Sequence, residues 1–146
     1  MDDLERLEQL GRAGFQCSQI LVMWGLELQG KSNPDLVRSA HGLSRGMAAG
    51  ETCGALTGGA CFVGRYAGRA DPDEEDDPRL LFILDDLVAW FKNEYEQAYG
   101  SLRCDDIVGE CGQNMTTRCP AMVLGVYQKA KDLLVENGFD LTGGTC

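Results

Sequence analysis

The chain has 146 residues, with 13 Lys plus Arg against 23 Asp plus Glu and a formal charge of -10. That length fits a single domain over residues 1–146 able to bury a core without metal or disulfide support. That charge repels nucleic-acid phosphates and anionic membrane surfaces, which sets nucleic acid aside as a partner. The apolar run Ile20 to Trp24, as long as any in the chain, is interrupted by Gly25. It falls well short of the roughly 20 residues a spanning helix needs, so no membrane insertion is expected. The opening Met1-Asp2-Asp3-Leu4-Glu5 is acidic where a secretory signal is basic and then apolar, and a cytoplasmic location is expected.

Leu4, Leu7 and Leu10 recur at helical spacing, as do Ile20, Leu21, Trp24 and Leu28. Two short helices or one kinked helix follow, joined near Gly14, with Cys17 close to the start of the second part and Gly30 as its end. Asn33-Pro34-Asp35 supplies a capping oxygen and a proline-led start for a short helix to about Ala40. Gly42, Gly46 and Gly50 make an irregular loop. Glu51 to Gly68 is rich in small residues without strand alternation. A helix there gives up roughly 1 kcal/mol per glycine relative to alanine, so neighbours must hold it from outside, and it is expected to be the central buried helix.

Asp71 to Asp77 carries six carboxylates and reads as a solvated turn, with Pro78 as the first position of the next helix. Leu80, Leu84, Leu87, Phe91 and Tyr95 give that helix the clearest periodicity in the chain, and Gly100 stops it. One further turn is expected over Cys104 to Val108, then loop over 109–116, then a helix from about Pro120 to Asn137. Gly138 and Phe139 are placed for a Schellman ending, and 137–146 reads as a mobile tail. The fold class is all-α: a bundle of about five to six helices around the glycine-rich one.

Seven cysteines stand beside a single histidine, His41. In a reducing compartment that count points to metal or redox chemistry rather than a disulfide framework, and the scarcity of histidine leaves the work to sulfur. Cys17, Cys53, Cys104 and Cys119 each fall near an expected helix start, where unpaired N–H groups and the positive end of the helix dipole favour the thiolate. Pro120 suits the first helical position, which makes Cys119 the cap. Cys61 and Cys111 read as small core residues, Cys146 as an exposed thiol of the tail, and His41 as structural or exposed.

The segments Phe15-Gln16-Cys17-Ser18-Gln19, Gly50-Glu51-Thr52-Cys53-Gly54-Ala55-Leu56-Thr57-Gly58, Tyr99-Gly100-Ser101-Leu102-Arg103-Cys104 and then Cys119 resemble the redox-active C_GCAxxG_C_C family, defined by four cysteines and a Cys-Gly-Ala-x-x-Gly motif. The resemblance runs from about residue 10 to 137. It implies that Cys17, Cys53, Cys104 and Cys119 are the family positions, with Cys61, Cys111 and Cys146 outside the set. A related domain accompanies haem and an iron-sulfur centre in split-Soret cytochromes. This chain has no Cys-x-x-Cys-His, so covalent haem is not expected.

Four thiolates at these positions could hold a [2Fe-2S] or [4Fe-4S] cluster, with Gly54 allowing close approach and amide donors to sulfur; zinc is the lesser alternative. Spacing leaves the choice open, because no Cys-x-x-Cys pair is present. A dithiol-disulfide couple would need only two of the four. The expected function is therefore electron transfer through a cluster or thiol-disulfide exchange, with a redox protein or a small thiol as partner and a homodimer admissible. The alternative is a non-enzymatic binding module with a structural zinc site made by the four cysteines, or with cysteines that are merely buried.

Overall fold

The computed structural model describes residues 1–142. Six helices of eight residues or more make a bundle, as expected, and two short ones complete it. Helix α1 (Asp3–Arg12) opens with a reciprocal cap: the Asp2 carboxylate accepts the Glu5 N–H at 2.8 Å and the Glu5 carboxylate accepts the Asp2 N–H at 3.0 Å. The join to α2 (Cys17–Leu28) is a break rather than a kink, with Gly14 at φ +94°. Helix α3 (Pro34–His41) starts on Asn33, whose side-chain oxygen accepts the Leu36 N–H at 3.1 Å. Helix α4 (Gly54–Ala67) is the expected glycine-rich helix.

Helix α5 (Arg79–Phe91) runs on through a widened turn at Lys92–Glu96 and a last turn at Gln97–Tyr99, stopping at Gly100 with φ +92°. Pro78 is the cap of the helix rather than its first position, and the Asp77 carboxylate one residue earlier accepts the Arg79 N–H at 2.9 Å. Helix α6 (Cys104–Val108) is the expected single turn. Within the segment expected to be loop, Asn114–Thr117 forms a further short helix, α7. Its start is fixed by the Asn114 side-chain amide, which donates to the Val108 carbonyl at 2.7 Å. The last helix, α8 (Cys119–Glu136), takes Cys119 as its first helical residue rather than as its cap, which is Arg118. At its end Gly138 has φ +88°, and the Phe139 N–H donates to the Leu134 carbonyl at 3.0 Å, closing the Schellman turn.

Residues just beyond that turn are anchored rather than free. Phe139 lies beneath the Arg79 guanidinium at 3.9 Å from ring centroid to Cζ, and the Tyr66 hydroxyl donates to the Leu141 carbonyl at 2.7 Å. The rest of the expected mobile tail, including Cys146, lies outside the described residues.

Helix α4 sits at the centre, against α2 on one side and α5 and α8 on the others. Its glycines explain how: a Cβ on Gly58 would fall 2.8 Å from the backbone Cα of Ser18 in α2, and one on Gly59 would run into Val126 of α8. Small residues let the three backbones approach, and the loss in helix propensity is offset by the packing gained. Phe62, Ile83, Leu87, Phe91, Val126 and Leu134 are fully buried in the resulting core, and Trp24 stacks on Tyr127 at 4.1 Å. A smaller cluster of Val22, Leu26 and Ala40 lies between α2 and α3.

Candidate functional site

One main-chain pairing organises the sulfur-bearing end. The Cys53 N–H donates to the Leu102 carbonyl at 2.8 Å and the Cys104 N–H donates to the Glu51 carbonyl at 2.7 Å, so Thr52 and Arg103 face each other in an isolated antiparallel bridge. The residue pattern predicts no strand here, and a single bridged residue pair is too short to leave an alternating pattern. From this bridge α4 and α6 set out, each with a cysteine at its start. Cys17 begins α2 and Cys119 begins α8. Four stretches of chain thus deliver one sulfur apiece.

Cys17, Cys53, Cys104 and Cys119 line a single cavity of about 270 Å³, walled by Phe15, Ile20, Ile107 and Val123 among others. All four are free thiols; Cys53 is buried and the other three are half-buried. Gly54 lines the cavity too, and a Cβ there would fall 2.6 Å from Cys17 Sγ. Among the described residues, no three Cys, His, Asp or Glu side chains are drawn together closely enough to hold a metal ion.

The sequence expectation of acidic thiols is corrected by the burial. Desolvation pushes Cys53 up to about 12 and outweighs the Ala55 and Leu56 backbone N–H groups at the start of α4, which act the other way. Negative charge on Cys17 and Cys119 contributes to the rise. Cys119 is pushed up to about 11, by burial first and then by Cys17 and Cys104. Cys17 is raised by burial against the Arg45, Ser18 and Cys17 N–H groups. Burial also raises Cys104, with Asp105 adding to the rise and Arg45 opposing it. Helix-start amides are present, but taking sulfur out of water costs more than they return.

The loop before the bridge contributes residues that the sequence pattern does not single out. Arg45, Met47 and Ala48 have φ of 55°, 60° and 56°, and Gly46 between them has φ of 60°, making a left-handed turn of four residues. Non-glycine residues in that region cost roughly 1–2 kcal/mol each, so the turn is held by its surroundings. Gly46 and Gly50 fit because a Cβ on the first would strike the Glu51 backbone and one on the second the Asp105 carboxylate. Arg45 lines the cavity, and its guanidinium donates to Met115 Sδ at 3.6 Å. The glycine spacing marks this loop as irregular, but nothing in the residue types announces left-handed Arg45, Met47 or Ala48.

The remaining described cysteines are elsewhere. Cys61 is half-buried against the small cluster between α2 and α3, short of the core position expected for it, and Cys111 is exposed rather than buried. His41 is exposed.

The sequence model of the family described as "Putative redox-active protein (C_GCAxxG_C_C)" matches residues 15–133. The chain belongs to this family. The C_GCAxxG_C_C match begins two residues before Cys17 and ends well beyond Cys119, so all four cavity cysteines lie within it. The family label writes Gly-Cys-Ala where this chain has Cys53-Gly54-Ala55. No curated protein and no solved structure matches the chain.

Proposed function

We propose that this redox-family protein is a one-electron carrier whose Cys17, Cys53, Cys104 and Cys119 sulfurs hold an iron-sulfur cluster in the cavity they line. The observation that carries the reading is the delivery of four sulfurs, from four separated stretches, to one apolar cavity of about 270 Å³. A single zinc ion requires its sulfurs about 3.8 Å apart, from Zn–S bonds of about 2.3 Å at tetrahedral angles. Among the described residues no group of three ligand side chains is placed to hold a single metal ion, and a cluster of several irons bridges wider separations than one zinc does. Buried neutral thiols are also poor nucleophiles near neutral pH, which weighs against thiol-disulfide exchange as the resting chemistry.

When bound, such a cluster would supply one-electron transfer between a reduced donor protein and an oxidised acceptor, with no bond made or broken in the chain. The residues supply the setting. Loss of the four thiol protons provides the anionic ligands, and the Ala55 and Leu56 N–H groups stabilise negative charge on Cys53. Phe15, Ile20, Ile107 and Val123 keep water away, and Gly54 leaves room beside Cys17.

Purification under anaerobic conditions, followed by iron and acid-labile sulfide analysis and electron paramagnetic resonance of the reduced protein, tests this. Iron and sulfide in near-equal amounts are expected, lost on Ser substitution at Cys17, Cys53, Cys104 or Cys119. Absence of both after anaerobic reconstitution would remove the cluster. A disulfide forming reversibly between two of the four would then put thiol-disulfide exchange in its place.

A further inference from the structure

We propose that the left-handed turn at Arg45–Ala48 is a hinged cover of the sulfur cavity, latched by the contact of Arg45 with Met115, and that its opening governs access to the four sulfurs. The inference deepens the reading of the cavity as a redox seat, but the closure is a property of this chain and is measurable with the cavity empty.

Three observations meet here. The turn holds three non-glycine residues at positive φ, a conformation that L side chains leave readily when their surroundings loosen. Gly46 within it and Gly50 just after it sit where a Cβ would strike the Glu51 backbone and the Asp105 carboxylate. Its Arg45 reaches across to α7, an element distant in sequence, and both Arg45 and Met115 line the cavity beside Cys17 and Cys104. A strained turn whose first residue lines the cavity, held by the Arg45–Met115 side-chain contact together with main-chain bonds such as that from the Glu51 N–H to the Gly46 carbonyl, has two natural states. Relaxation of the turn withdraws Arg45 and uncovers sulfur; the latch restores the cover.

Cys111, exposed, and Cys61, in the separate cluster, are internal controls. The experiment follows alkylation of reduced, metal-free protein by iodoacetamide over a range of pH, with each cysteine peptide quantified by mass spectrometry and rates compared per thiolate, because the Arg45 charge also favours the Cys104 thiolate. Arg45→Ala should speed labelling of Cys17 and Cys104 about fivefold, the population shift expected from losing one hydrogen bond, with Cys61 and Cys111 unchanged. Arg45→Lys should fall between the two. Ala48→Gly should act in the opposite sense, slowing the same two sites about fivefold because glycine accepts the left-handed conformation without strain. The pair of opposed effects distinguishes a cover from general loosening, which would speed Cys61 as well.

Unchanged labelling in Arg45→Ala, acceleration shared equally by Cys61, or faster labelling in Ala48→Gly would overturn the proposal. Should the protein prove free of iron and sulfide while these labelling effects appear, the cover stands and the cluster falls. The reverse pattern condemns the cover alone.

Discussion

Alanine at position 54 would set a methyl carbon 2.6 Å from Cys17 Sγ and 3.2 Å from the Leu43 carbonyl, so the sulfur must leave its position or the helix start must shift. Gly54→Ala should cost about 1–3 kcal/mol in urea denaturation, the usual range for a methyl forced into a packed site, and should sharply reduce iron recovered after reconstitution. Retention of full iron content with unaltered stability would show that Gly54 has no part in placing Cys17. Tyr127 gives a pH dependence away from the sulfurs. It is 3% exposed, and burial first, then nearby Asp3, pushes its hydroxyl from 10 up to about 12. The fold therefore favours the neutral phenol. That contribution is fully present below pH 10, where the unfolded tyrosine is also neutral, and is lost as pH rises through 12. Chemical denaturation between pH 9 and 12 should show stability falling, with a shallower fall in Tyr127→Phe.

At the scale of helices, α4 depends on surfaces that meet it too closely for any side chain. Gly58→Ala places a methyl 2.8 Å from a backbone atom of Ser18, which cannot rotate away, whereas Gly59→Ala meets the side chain of Val126. Both substitutions should destabilise by about 1–3 kcal/mol, but only the second should be partly rescued by Val126→Ala, since there the obstacle can be removed. Urea midpoints of the two single variants and the double variant check this. The helices themselves are legible because their signals are local: the Asn33-Pro34 start, the α5 stripe, and the Gly138-Phe139 stop. The central place of α4 is also legible, because so many glycines in a helix make sense only if neighbours approach its backbone. The Thr52/Arg103 bridge is not, since its bonds run between main-chain groups far apart in sequence and engage no diagnostic side chain. The cover is illegible for a related reason: left-handed geometry at Arg45, Met47 and Ala48 is imposed by tertiary surroundings against the preference of those residues. The helix-start positions of the four cysteines can be read off, but their acidity cannot, because helix ends are visible in a sequence and the depth of burial is not.

At the scale of the whole molecule, the cysteines among the described residues are unevenly distributed. Four thiols share one cavity, Cys61 of α4 packs half-buried against the cluster between α2 and α3, and Cys111 faces solvent. Combined Cys61→Ala and Cys111→Ser substitution should therefore preserve iron content and the reduced-state resonance, with a stability change below about 1–2 kcal/mol arising from the small void at Cys61. Loss of the resonance in that variant would bring one of the two into the functional set. The cavity also has a mechanical consequence. Its walls are anchored on α2, α4, α6 and α8, so any single body bonded to all four sulfurs is a clasp that gathers distant parts of the polypeptide into closed rings. The chain would then be hardest to digest with protease when the clasp is fastened, and resistance to cutting would rise and fall with what the sulfurs grip.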